Sequence, residues 1–89
     1  MQIKKDKIHV NIAEVVSPVL GIRLSATQFF EKFESNKKEV EIDFRDVKFI
    51  SRSFAHEYLK QKQSISPDIN ELNVPKNVKE MLEIVQRSK

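Results

Sequence analysis

The chain has 89 residues, with 16 Lys and Arg against 13 Asp and Glu for a net charge of +3, and it contains one glycine and no cysteine. A chain of that length holds a single domain, here taken as residues 1–89, with a thin core that buries roughly 60–65% of the surface its unfolded chain exposes. The missing thiols exclude disulfides, thiolate metal sites and cysteine nucleophiles, and a single glycine excludes the GxGxxG, P-loop and GxSxG motifs.

Ile8, Val10 and Ile12 alternate with His9, Asn11 and Ala13, the period of a half-buried strand. Val15 and Val16 follow, then Ser17-Pro18 breaks the pattern, and residues 18–24, with Gly21, read as a loop. Ser25 is expected to cap a helix, because a serine oxygen can accept an orphan backbone N–H. Beyond it Ala26, Phe29, Phe30 and Phe33 share one helical face, and Ser35-Asn36 ends the helix.

Val40, Ile42 and Phe44 alternate with Glu41, Asp43 and Arg45, the strongest strand signal in the chain. If this strand is central, both its faces are expected to be covered, with Asp43 at the crevice at its C-terminal end. Arg45-Asp46 makes a turn before Val47, Phe49 and Ile50, and Ser51-Arg52-Ser53 offers caps for a second helix burying Phe54, Ala55, Tyr58 and Leu59 and running to about Gln63. A turn at Ser66-Pro67-Asp68 leads to a short third strand with Ile69, Leu72 and Val74. Pro75 suits a first helical turn, and Val78, Met81, Leu82 and Val85 define the last helix. Strands alternating with helices imply parallel pairing. The fold class is therefore α/β, a small mostly parallel sheet with packed helices.

Few residues offer chemistry. His9 and His56 are the only histidines, too few for a zinc site without cysteine. Glu39, Glu41 and Asp43 share one face of their strand and read as a solvent-facing row. His56 could act as a base toward Ser53, although a partly exposed helical histidine is the ordinary case. The phenylalanines have core spacing, with room for one at an interface. No nucleophile, base and orienting group can be assembled, so neither an enzyme nor a cofactor is expected. Apolar runs are too short to span a bilayer, and Met1 to Asp6 lacks a signal-peptide core. A cytoplasmic chain without membrane contact is the expectation.

Positive charge gathers mildly at both ends, in Lys4, Lys5 and Lys7 and again in Lys76, Lys79, Arg87 and Lys89. A nucleic-acid binder would concentrate its charge in one stripe, so a nucleic-acid-associated protein is kept only as the alternative. The most informative stretch is residues 49–55, which place Ser51 and Ser53 at a strand–helix junction. Two roles fit these hydroxyls. One is simple capping, worth about 1 kcal/mol. The other is phosphorylation, because helix N–H groups favour an anion there.

Residues 40–57, VEIDFRDVKFISRSFAHE, resemble the central block of STAS-like domains, relatives of the bacterial anti-sigma factor antagonists. The resemblance implies a sheet with packed helices and a regulatory protein-interaction module. Its partner would be a protein kinase of the histidine-kinase-like ATPase type, phosphorylating a serine that Ser53 matches by position. Ser51 stands where that family commonly has aspartate, and Phe54 where it commonly has glycine. The expected contact surface comprises Ser51, Arg52, Ser53, His56 and Glu57, with Asp43 at the end of the preceding strand.

Overall fold

A computed structural model describes residues 7–32, 39–64 and 68–87. Its first strand, β1 (Lys7–Asn11), ends where the Asn11 side chain accepts the Glu14 N–H at 3.2 Å and caps a one-turn helix, α1 (Ile12–Val15). Ile12, expected as the third inward strand residue, is instead the buried first residue of α1. A short amide side chain that bonds its own backbone competes with the strand ladder, and the competition is won at Asn11.

The expected loop at 18–24 contains structure. β2 (Val19–Leu20) pairs in parallel with β4 (Phe49–Ile50), setting Val19 opposite Phe49 and Leu20 opposite Ile50. α2 (Arg23–Glu31) then starts inside that segment, after the extended backbone of Ile22 and without a side-chain cap. Ser25 is therefore not the cap. It lies in the first turn, and its N–H donates to the Ile22 carbonyl at 3.0 Å. The pairing of β2 and a hydrogen bond to the Gly21 carbonyl hold the chain extended as far as Ile22, so the helix begins at the next residue.

β3 (Glu39–Asp43) is the middle strand of a parallel sheet in the order β1-β3-β5, with β5 at Ile69–Leu72. Two further helices, α3 (Arg52–Ser64) and α4 (Lys76–Arg87), complete an α/β fold of the kind the STAS resemblance implies. α2 packs on α3, and α3 on α4. Val40 and Ile42 of β3 are fully buried on the face toward the core, which also holds Phe29, Phe30, Phe44, Phe54 and Tyr58. The rings interlock, with Tyr58 5.3 Å from Phe30 and 5.7 Å from Phe44 between centroids. Of the phenylalanines read as core, Phe49 is 48% exposed. Phe33, the helix end at Ser35-Asn36 and the turn at Ser66-Pro67 lie outside the described residues.

Among the described residues no helix covers the other face of the sheet, where a central strand was expected to be covered on both sides. Lys7, His9 and Asn70 are exposed there, and Glu39 and Glu41 half-buried. The strands satisfy one another laterally, with Lys7 Nζ 3.6 Å and His9 Nδ1 3.4 Å from the Glu41 carboxylate. Successive strand residues point to opposite faces, so polar positions alternating with apolar ones leave one face polar.

β5 lacks a clean alternation for a definite reason. Glu71 pairs with Ile42 and so falls on the apolar face. There it accepts the Tyr58 hydroxyl and lies 3.1 Å from Lys62 Nζ. Burial, with the Glu71 carboxylate beside it, pushes the Tyr58 phenol well above its ordinary 10.0, so it remains a donor. Among the described residues, no helix is long and apolar enough to cross a membrane.

Candidate functional site

The start of α3 is built on Ser51. Its N–H donates to the Leu20 carbonyl at 2.8 Å, which anchors it to β2. Its hydroxyl donates to the Gly21 carbonyl at 3.1 Å, and its oxygen accepts the Phe54 N–H at 3.1 Å, the geometry of an N-cap. One side chain thus closes α3 and ties it to the segment that starts α2. Ser51→Ala is expected to lower stability by about 1–2 kcal/mol, which chemical denaturation will read. A change below a few tenths would mean that water replaces both bonds.

Ser53 differs from Ser51. It is exposed in the first turn, with its hydroxyl oxygen 3.3 Å from that of Ser51. Arg52, the first residue of α3, is exposed beside it. His56 is exposed one turn along, at a shallow cleft it lines with Leu59, Lys60, Gln63 and Val85. Among the described residues no hydrogen bond joins His56 to Ser53, and no group of His, Cys, Asp and Glu could hold a metal ion.

Glu57 is only 7% exposed. Its carboxylate accepts from Gln61 Nε2 at 2.6 Å and Thr27 Oγ1 at 3.1 Å, joining α3 to α2. The Gln61 bond, helped by Thr27 and by the charges of Lys60 and Arg23, holds this acid below its ordinary 4.5 against the opposing effect of burial. A partner arriving at α3 would meet the edge of this strut rather than an open carboxylate.

Asp43 belongs to a separate cluster at the end of β3, only 2% exposed. Its Oδ1 accepts the Arg45 N–H at 2.8 Å and Asn73 Nδ2 at 3.2 Å, while Oδ2 lies 3.4 Å from Arg45 Nη2 and 3.5 Å from His9 Nε2. The Arg45 backbone bond lowers its pKa most, Asn73, the Arg45 guanidinium and His9 lower it further, and burial works the other way. Asn73 has φ 52° and the nearby Asp46 φ 72°. These left-handed conformations are uncommon outside glycine, though asparagine and aspartate adopt them most readily. Asp43 therefore pins the loops that leave β3 and β5. Ser51, Arg52 and Ser53 share the start of α3, whereas the bonds of Asp43 run to Arg45, Asn73 and His9.

Sequence reasoning missed the apolar surface around the start of α3. Val19 and Phe49 are cross-strand partners and both point outward, while Leu20 and Ile50 point in. Ile22 is 67% exposed, and Leu24 is also exposed. The available signal was two apolar doublets, Val19-Leu20 and Phe49-Ile50, each of which can bury one member in a paired strand.

No curated protein and no solved structure matches the chain. A family described as "STAS-like domain of unknown function (DUF4325)" matches residues 25–81, from the first turn of α2 into α4. That match spans the strand β3, the Ser51 junction, α3 and β5, and the chain belongs to this STAS-like family.

Proposed function

We propose that the chain is a cytoplasmic regulatory module that binds a protein partner through the surface at the start of α3, residues 51–57, and that it is not an enzyme. Phosphate on Ser53 adjusts this contact. The observation that carries the reading is the division of labour between two serines. Ser51 is committed to capping and to Gly21, whereas Ser53 is exposed in the first turn of the same helix. A phosphate on Ser53 leaves the cap in place and adds about −1.5 to −2 charges where helix N–H groups and Arg52 favour an anion. By the STAS resemblance, the enzyme adding it is a kinase of the histidine-kinase-like ATPase type.

A photocrosslinking residue placed at His56, and separately at Glu80 on α4, tests the surface in the native cells. A protein crosslinked from position 56 and not from 80 is the expected result. With that partner purified, Ser53→Asp and Ser53→Ala should differ by about tenfold or more in affinity, the scale of a charge change at an interface. Equal affinity of both variants and the unchanged chain ends the switch, and absence of any crosslink at 56 ends the surface.

A further inference from the structure

We infer that the partner surface is acidic with apolar anchors, and that it seats on the exposed residues Val19, Ile22, Leu24 and Phe49 beside the start of α3. This rests on the contact surface proposed above and adds the chemistry of what it contacts.

The apolar residues come first. Val19 and Phe49 are 54% and 48% exposed, and as register partners on the β2–β4 ribbon they lie side by side. Ile22 and Leu24 are 67% and 59% exposed. Ile22 follows Gly21, whose carbonyl is bonded to Ser51, so it sits next to the first turn of α3. Scattered exposed apolar residues are normal, but a group gathered at one spot marks an interaction site. Aromatic and aliphatic anchors of this kind suit a protein partner. A nucleic-acid backbone would leave them unmatched.

The charge around them sets the partner's sign. α2, α3 and α4 begin with Arg23, Arg52 and Lys76, and none has an acid in its first turn. That is the reverse of what the helix dipole favours. Hydrogen bonds tie the three starts to the ends of the β2–β4 ribbon. Ser51 bonds the Gly21 carbonyl, and Asn77 Nδ2 in α4 bonds the Lys48 carbonyl at 3.0 Å. Lys48 itself is exposed and adjoins Phe49. The nearby acids are fewer: Glu57 is buried and Asp43 is enclosed by Arg45, His9 and Asn73, which leaves exposed Asp46 and Glu14. The open sheet face and the outer side of α4 mix both signs, as in Lys7 with Glu39 and Glu41, and Lys79 with Glu80 and Glu83. An acidic surface therefore complements this end of the molecule, and charge complementarity selects partners and speeds encounter.

Two fluorescein-labelled peptides with leucine and phenylalanine at the same positions, one carrying glutamate elsewhere and one lysine, test this against the full chain. The glutamate peptide should bind at least about tenfold tighter and shift the amide resonances of residues 19–24 and 48–53. Phe49→Ser, and separately Arg23→Glu with Lys48→Glu and Lys76→Glu, should each weaken it by about tenfold, with folding of each variant checked by its spectrum. Lysine-peptide binding at the same resonances overturns the acidic partner and leaves the contact surface standing. If neither peptide shifts resonances in residues 19–24 or 48–57, both readings fall. Tighter binding of a thymidine oligonucleotide than of the glutamate peptide at these residues assigns the surface to nucleic acid and overturns the inference.

Discussion

Phe30→Ala is expected to cost about 3–5 kcal/mol, the range for emptying a buried aromatic site. Phe30 is fully buried, and its ring meets Phe29 edge-on at 5.3 Å and Tyr58 at the same centroid distance. It joins α2 to α3, and Tyr58 carries the contact on to Phe44 beyond β3. A domain of this length has a total stability of about 4–13 kcal/mol, so the variant should be largely unfolded if the chain lies at the low end. Urea titration of the variant and of Phe30→Leu, which keeps most of the volume, checks this. A loss below about 1 kcal/mol for alanine would mean that the aromatic cluster does not bear the contact between the helices.

Asp43→Ala should cost about 2–4 kcal/mol, because it removes one buried carboxylate and strands several donors. The donors are the Arg45 N–H, Asn73 Nδ2, the Arg45 guanidinium and His9. Asp43→Asn keeps one acceptor but faces Arg45 Nη2 or His9 with an amide donor, so about half the loss should remain. The same cluster sets the acid response. The folded pKa of Asp43 lies below its ordinary 3.8, so its contribution is complete at neutral pH and is lost as pH falls from about that value through the lowered one. Glu57 behaves alike from its ordinary 4.5 downward. Stability measured between pH 7 and pH 2 should therefore fall steeply below about pH 4.5. Asp43→Asn should flatten the lower part of that slope, and an unchanged slope would show that the unfolded chain holds this acid in the same state.

The elements that carried a long period in the sequence are where they were expected. The alternation of Val40, Ile42 and Phe44 sets β3, and the spacing of Val78, Met81, Leu82 and Val85 sets α4, because many residues state the same face. β2 and β4 have two residues each, and a pair of residues has no period. Their pairing depends on a partner some thirty positions away. The start of α2 was misplaced for the same reason, since it is set by Gly21 and Ser51 across that pairing and not by Ser25. Within the candidate site, the Ser51 cap was legible from local chemistry. The exposure of Phe49 was not, because an apolar doublet does not say which member turns outward. Glu57 was read as part of the contact surface, but its role in holding α2 against α3 depends on Thr27, thirty residues earlier.

Glu71 has one more effect. Among the described residues β5 is an edge of the three-stranded sheet, and a bare edge invites another chain to add a strand. A newcomer pairing there would have to seal the remaining exposed parts of a carboxylate and a lysine away from water, because Glu71 points to the core side with Lys62 and the already buried Tyr58 around it. An inward-facing charge on an edge strand is a known guard against such growth. Glu71→Val would complete the apolar alternation of β5 and leave the chain prone to assemble edge to edge, which light scattering on warming would reveal as aggregation absent from the unmodified protein.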